Sequence, residues 1–158
     1  MRCRNHAGFT LIELLVVVAI IGVLAAIAIG NYMSAITRAR QKRTMSDIRQ
    51  IALAWETRNS ERGSFNPAGF TMPGGPVTFT QLELALTPNY IGALPDSDGW
   101  GRPLEFGFEG DVYAIRSAGR DGSFEGTDYT ELESSSPDCD IVYANGRFVR
   151  YPAGTQTN

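Results

Sequence analysis

The sequence predicts an α+β fold in which one long N-terminal helix packs against a small antiparallel β-sheet. The helix is indicated by residues 9–62, which contain no proline and carry apolar side chains at helical spacing. The sheet is indicated by short strand-like segments between residues 104 and 151, separated by turn residues. A chain of 158 residues with an ordinary composition can build one such domain on a membrane segment.

The first half of the helix is long and apolar enough to cross a membrane. Residues 9–30 contain one ionisable side chain, Glu13, and span about 33 Å as a helix, against about 30 Å for a bilayer core. Burying a carboxylate in hydrocarbon costs about 2.5 kcal/mol or more, so Glu13 needs a function that offsets this cost. Charge alone leaves the orientation open, because Arg2 and Arg4 precede the run and a basic cluster follows at residues 38–43.

A secretory signal peptide, cleaved near Ala25–Ala26, is the alternative for the same residues. The apolar run is longer than the apolar region of about 7–15 residues that such signals carry, and a signal peptide has no use for a carboxylate. An uncleaved membrane helix is therefore favoured.

The second half of the helix is amphipathic and should lie against the rest of the chain. Its apolar residues recur at intervals of three and four: Met45, Ile48, Ile51, Ala52 and Trp55. Gly63 provides a stop signal, so the whole helix is expected to cover about 54 residues. Residues 63–79, rich in Gly, Pro, Ser and Thr, predict a loop, and Thr80–Glu83 resembles a capping box before a short helix.

The strand signals predict two hairpins. The first joins Leu104–Phe108 and Val112–Ser117 through a turn at Glu109–Gly110. The second joins Ile141–Ala144 and Arg147–Tyr151 around Asn145–Gly146, a pair that favours a type I′ turn.

Charge and composition exclude several classes of function. Residues 38–62 hold seven basic and three acidic side chains, whereas residues 96–140 hold twelve acidic side chains and three arginines. So few basic residues, directly following a membrane segment, do not predict nucleic-acid binding. The only histidine is His6, so His-dependent catalysis or metal binding is not expected, and acids clustered in one loop-rich stretch favour ion binding or solvation over an enzyme. Cys139 is expected to be a free thiol rather than an intersubunit disulfide, and Trp100 to anchor its loop in the head.

Residues 8–14, G-F-T-L-I-E-L, resemble the processing motif of type IV pilins and type II secretion pseudopilins. The resemblance implies that a membrane prepilin peptidase cuts after Gly8 and methylates the new amino terminus on Phe9. It also implies that residues 1–8 are a cytoplasmic leader and that the head lies outside the bacterial inner membrane.

The same resemblance implies an assembly contact for Glu13. The freed amine of Phe9 is cationic, and in a filament Glu13 of one subunit can meet the Phe9 amine of its neighbour. Pairing the two charges offsets part of the desolvation cost of each, and removing one of them leaves the other buried and unpaired.

Two further segments resemble the major pseudopilins of type II secretion. Residues 98–103, D-G-W-G-R-P, match D-P-W-G-x-P with Gly99 in place of proline, and residues 117–122, S-A-G-R-D-G, match the S-x-G-x-D-G loop. In that family the loop binds Ca²⁺, which implies Asp121 and Asp128 as ligands together with carbonyls near Ser117–Ala118. Hard oxygen ligands suit this ion. The adjacent acidic pair of the family is missing after Asp128, so Glu125, Glu131 and Glu133 are alternative ligands, and a solvated acidic loop is the alternative to a metal site.

The predicted function is a non-enzymatic structural subunit of a type II secretion pseudopilus, a periplasmic helical filament used in protein export. Its predicted parts are the leader 1–8, the transmembrane half-helix 9–30, the soluble half-helix 31–62 and the head 63–158. The expected partners are prepilin peptidase, further copies of the chain, minor pseudopilins, the inner-membrane assembly platform and the lipid bilayer. The alternative is a type IV pilin, major or minor, of a surface filament for adhesion, motility or DNA uptake. Most such pilins carry a C-terminal cysteine pair, which this sequence lacks.

Overall fold

The computed structural model describes residues 9–63, 75–126 and 131–155. The chain divides into two compact units, residues 1–36 and 37–158. The first helix, α1 (Leu11–Arg62), contributes residues to both units. It begins two residues later than predicted and ends as predicted, followed by Gly63 in the left-handed conformation, with φ of 68°.

The first unit exposes the apolar part of α1. Every residue from 11 to 35 is exposed, including large side chains such as Leu11, Ile20 and Ile29. Among the described residues, α1 is the helix that is long and apolar enough to cross a membrane, judged by length and composition. An apolar surface of this extent is stable only in contact with lipid or with other helices.

In the second unit, the remainder of α1 forms one side of the core. Ile48, Ile51 and Trp55 have no exposed surface, which confirms the predicted apolar stripe. They share one core with residues from a second helix, α2 (Phe79–Leu86), and from the sheet. The ring of Trp55 lies 5.2 Å from that of Tyr113, whose hydroxyl donates a hydrogen bond to Glu56. Burial raises the pKa of the Tyr113 hydroxyl, and the bond to Glu56 raises it further.

The sheet has six strands in the order β1-β2-β3-β5-β6-β4. The strands are β1 (Gly75–Val77), β2 (Glu105–Glu109), β3 (Val112–Ser117), β4 (Leu132–Ser134), β5 (Ile141–Ala144) and β6 (Arg147–Pro152). The predicted α+β fold, a long helix packed on a small sheet, is confirmed. All neighbouring strands are antiparallel except β4 and β6, so the sheet is mixed rather than wholly antiparallel. The chain reverses between β4 and β5 and again between β5 and β6, which makes β4 and β6 run in the same direction.

Both predicted hairpins are confirmed, with small shifts at their turns. Glu109 pairs with Val112 at the end of the ladder, so the first turn is Gly110–Asp111 rather than Glu109–Gly110. Asn145 and Gly146 both have positive φ, 49° and 85°, as a type I′ turn requires.

Two local predictions are wrong. The loop expected over residues 63–79 contains β1, which is held at the sheet edge by its pairing with β2. The capping box of α2 is Thr78 and Gln81 rather than Thr80 and Glu83. The Thr78 hydroxyl accepts the Gln81 N–H at 3.4 Å, and the Gln81 side chain accepts the Thr78 N–H at 3.1 Å.

A buried carboxylate, Asp98, connects two loops of the head. Its side chain is almost fully buried and accepts three hydrogen bonds: from the backbone N–H groups of Trp100 and Arg102, each at 2.9 Å, and from the Ser117 hydroxyl at 2.7 Å. The Ser117 oxygen in turn accepts the Gly119 N–H at 3.2 Å. Asp98 therefore fixes the 98–102 loop to Ser117 at the end of β3. The acidic loop that contains Asp121 begins directly after this residue.

The same loop is attached to α1 through Thr44 and Gly99. The fully buried Thr44 hydroxyl donates to the Arg40 carbonyl at 3.0 Å and accepts the Gly99 N–H at 2.8 Å. A Cβ atom on Gly99 would lie 2.9 Å from the Arg40 carbonyl carbon, too close for any larger residue without movement of the backbone. The pseudopilin segment D-P-W-G-x-P has proline at this position, and proline has no N–H to donate to Thr44. Glycine at position 99 therefore allows the hydrogen bond to Thr44 in this chain.

Asp98→Ala is expected to destabilise the head by about 3 kcal/mol or more, because it leaves two backbone N–H groups and one hydroxyl without an acceptor, at about 1–3 kcal/mol for each buried group. Urea unfolding of the full chain in detergent, followed by the fluorescence of Trp55 and Trp100, measures this change. Asp96→Ala is the control: this neighbouring aspartate is exposed, and its removal should change the free energy of unfolding by no more than about 0.5 kcal/mol. Equal unfolding midpoints for the two variants would contradict the role given to Asp98.

Candidate assembly and cation-binding sites

The start of α1 is a capping box built from Thr10 and Glu13. The Glu13 Oε2 atom accepts the Thr10 N–H at 2.9 Å and the Thr10 hydroxyl at 3.0 Å, while the Thr10 hydroxyl oxygen accepts the Glu13 N–H at 3.3 Å. This arrangement satisfies donors at the helix start, which have no partner within the helix. The sequence contained the signal, a threonine followed three residues later by glutamate before an apolar run, but the role of Thr10 was not predicted.

The cap occupies only one oxygen of the Glu13 carboxylate. Within the described residues, the side-chain hydrogen bonds of Glu13 all use Oε2, and the side chain is exposed, as is Phe9 at 80%. Among the described residues, no group donates a hydrogen bond to Oε1. Gly8, the predicted cleavage position, lies outside the described residues, whereas Phe9 is described and precedes the cap directly.

Arginines neutralise part of the acidic stretch of the head. In the described residues, four carboxylates form ion pairs with arginines that are distant in sequence: Glu105 with Arg116, Glu125 with Arg150, Glu131 with Arg147, and Asp138 with Arg120. Most of these groups are partly exposed, so each pair contributes between about 0 and 1 kcal/mol. Together they cancel much of the like-charge repulsion among the acids.

Two of these arginines also hold the acidic loop in place. Arg120 contacts both carboxylate oxygens of Asp138, at 2.7 and 2.8 Å, and this contact lowers the pKa of the Asp138 carboxyl. Arg116 donates to the Gly126 carbonyl at 2.8 Å and lies 4.2 Å from the centre of the Phe124 ring. A third arginine, Arg102, donates to the Arg120 carbonyl at 2.6 Å.

The predicted calcium ligands are only partly covered by the structure. Asp121 lies in an exposed turn and accepts the Ser123 N–H at 3.0 Å, while Asp128 lies outside the described residues. The alternative ligands are already engaged: Glu125 and Glu131 by arginines, and Glu133 by the Gly154 N–H at 2.9 Å. The Ala118 carbonyl accepts the Gly122 N–H at 3.2 Å. No group of three metal-binding side chains is found among the described residues, so calcium binding stays a prediction that requires Asp121 and Asp128 together.

Two smaller predictions can be compared with the structure. Trp100 is half-buried and packs against the core, which confirms its role as a loop anchor. Cys139 is a free thiol in the described part of the chain.

Comparison with known proteins gives two kinds of match, one to the N-terminal segment and one over most of the chain. The family model described as the prokaryotic N-terminal methylation motif matches residues 3–29. The chain is 32% identical to the type II secretion system core protein G of Pseudomonas aeruginosa over 130 residues, which cover 77% of this chain and 91% of that protein. The corresponding protein of Aeromonas hydrophila is also 32% identical, over 81% of this chain and 92% of its own length.

Relatives named as fimbrial proteins match over different lengths: the fimbrial protein EcpC of Eikenella corrodens is 32% identical over 127 residues, which cover 74% of this chain and 78% of that protein. The type IV major fimbrial protein FimA of Dichelobacter nodosus is 58% identical over 50 residues, and the match spans about a third of each chain, 32%. No solved structure matches the chain. The methylation motif, the capped apolar helix and the relatives that align over nine-tenths of their length place this chain in the superfamily of type IV pilins and type II secretion pseudopilins.

Proposed function

We propose that this chain is a structural subunit of a type II secretion pseudopilus and has no enzymatic activity. The observation that carries the proposal is the exposed apolar helix, residues 11–35, headed by a carboxylate that has one oxygen left for a partner. The two core protein G relatives support the secretion assignment because the matches cover 91% and 92% of their length.

In the proposed pathway, prepilin peptidase cuts after Gly8 and methylates Phe9 while the chain is anchored in the inner membrane by its N-terminal apolar helix. The head then lies in the periplasm. Assembly platform proteins and minor pseudopilins guide the subunit into a helical homopolymer in which apolar helices replace lipid around one another. The Glu13 carboxylate pairs with the Phe9 amine of an adjacent subunit, so only one axial register avoids a buried unpaired charge.

A type IV pilin of a surface filament is the second candidate. The similarity to FimA, over a third of the chain, and to EcpC, over three-quarters of it, supports this candidate. The matches to the core protein G relatives cover more of those proteins, 91% and 92%, and favour the secretion candidate. Mechanical shearing of cells distinguishes the two candidates, since a surface filament releases the subunit into the medium and a periplasmic filament does not.

The proposed processing has a direct mass signature. The chain extracted from membranes should begin at Phe9 and carry one additional methyl group on its amine. Intact-mass analysis with fragmentation of the N-terminal peptide measures both changes. A chain that retains Met1, or that begins after Ala26, would contradict the proposed assembly because no cationic Phe9 amine could form.

Glu13→Ala and Glu13→Gln together separate the capping function of this residue from its charge. Both variants should insert into the membrane normally, because each removes a charge from the apolar run. Gln keeps an acceptor for Thr10 but cannot neutralise the Phe9 amine, so both variants should lose filament assembly. Filament yield, measured after chemical cross-linking of membranes, tests this, and normal assembly by Glu13→Gln would restrict the residue to helix capping.

We further propose that Asp121 and Asp128 together bind one Ca²⁺ ion and fasten the acidic loop. Asp121→Ala should then lower the melting temperature of the head only when calcium is present. At a calcium concentration 100 times the dissociation constant, the lost stabilisation is about 2.7 kcal/mol. Melting curves of the wild type and of Asp121→Ala, each with calcium and with a chelator, test the site. If calcium leaves the wild-type melting temperature unchanged, the arginine pairs alone hold the loop.

A further inference from the structure

A basic groove lies beside the second half of α1 in the head. It runs along the helix from Lys42 to Leu53, is closed on its other side by Phe148 and Thr155, and has a volume of about 530 Å³. Lys42 and Arg49 supply two positive charges, and the Arg49 guanidinium lies 5.5 Å from the centre of the Phe148 ring. Buried Met45 forms part of the floor.

The groove combines uncompensated charge with exposed apolar surface. Leu53 is 65% exposed, whereas the other large apolar residues of α1 beyond residue 37 are buried. Within the described residues, neither Lys42 nor Arg49 has a carboxylate partner, and no residue lining the groove is acidic. The nearby basic residue Arg43 differs, because it pairs with Asp47 on its own helix at 3.5 Å.

The turn between β2 and β3 has the complementary composition. Its residues 109–112, Glu-Gly-Asp-Val, are all exposed, and Val112 is 52% exposed. We call this segment the acidic turn. In the described residues, Glu109 and Asp111 have no arginine partner, in contrast to the four carboxylates of the head that form ion pairs. The acidic turn therefore offers two negative charges and one exposed apolar side chain, matching the two positive charges and one exposed apolar side chain of the groove.

The acidic turn cannot reach Lys42 of its own chain. Thr44, two residues from Lys42 on α1, contacts Gly99, whose neighbour Asp98 binds Ser117 at the far end of β3. Val112 begins β3 five residues from Ser117, a distance of about 17 Å along the strand. In the sheet order, β5 also separates β3 from β6, which carries Phe148. Within the described residues, no ion pair joins Glu109 or Asp111 to Lys42 or Arg49 of the same chain.

We propose that the acidic turn of one copy docks in the basic groove of the next copy, and this inference rests on the proposed filament function. The contact joins two different surfaces of the same chain. Such a head-to-tail contact repeats without closing unless its rotation returns to the start, which suits a filament rather than a dimer. Charge complementarity selects the orientation, and Leu53 and Val112 add apolar burial at the contact.

The chain offers a direct probe of this contact, because Lys42 is its only lysine. A zero-length carbodiimide joins a lysine amine to a carboxylate only when the two groups touch. Applied to membranes that contain assembled full-length protein, it should join Lys42 to Glu109 or Asp111, identified by tandem mass spectrometry of the linked peptides. Mixing ¹⁴N- and ¹⁵N-labelled chains should show mixed-isotope adducts, as expected for a contact between copies. Cross-links from Lys42 to Asp121, Glu133 or a different polypeptide, without any to the acidic turn, would overturn the proposal.

Charge exchange gives an independent test. Lys42→Glu combined with Arg49→Glu should reduce filament yield about tenfold or more, because the groove then repels the acidic turn. Adding Glu109→Lys and Asp111→Lys should restore assembly and reverse the cross-link, which then starts from a lysine in the turn. Arg43→Glu is the matched control, since it changes a neighbouring charge outside the groove and should assemble normally.

The outcomes also distinguish this inference from the proposed function. If the wild-type chain is processed at Phe9 and forms filaments, but groove reversal leaves their yield unchanged, the docking contact is wrong and the filament function stands. If the wild type forms no filaments at all, the proposed function itself is wrong.

Discussion

A carboxylate placed at the start of an otherwise apolar helix is the constraint on which the rest of this structure depends. An unpaired charge at this depth costs several kcal/mol, so Glu13 requires partners both before and after assembly. In the single chain, one of its oxygens accepts hydrogen bonds from Thr10, and its position in the first turn also places it favourably in the field of the helix dipole. These interactions let a lone subunit tolerate the charge while the second oxygen stays available for a neighbour.

The head also contains carboxylates that need partners, because many acids lie close together in one loop-rich stretch. Arginines that are distant in sequence neutralise four of them, and buried Asp98 binds backbone N–H groups and a hydroxyl instead of a counter-ion. Through Gly99 and Thr44 this network also reaches α1. The acidic loop that follows Ser117 is thus attached to the same half of α1 that carries the basic groove. The loop and the groove lie in one compact unit, residues 37–158.

The features predicted correctly from sequence are those whose cause is local. The apolar stripe of α1, the strands β2, β3, β5 and β6, and the Asn145–Gly146 turn follow from periodicity and from residues that tolerate positive φ. Short β1 and parallel β4 were missed because three-residue edge strands are defined by their partners rather than by their own composition. Glu13 was found because a charge in an apolar run is anomalous. Asp98 and the arginine pairs depend on contacts up to 25 residues apart, which no local pattern encodes.

The two assembly contacts differ in the environment that determines their strength. The proposed pairing at Glu13 takes place where water and salt are excluded, so we expect it to be strong, insensitive to ionic strength and costly to misalign. Docking of the acidic turn takes place at an exposed surface, where a Debye length of about 8 Å at physiological salt limits attraction to near contact. The first contact therefore sets the register of neighbouring helices, whereas the second contributes orientation at a smaller energy. A filament joined in this way can let its heads shift or separate while its helices stay aligned, because breaking the surface contact leaves no buried charge unpaired.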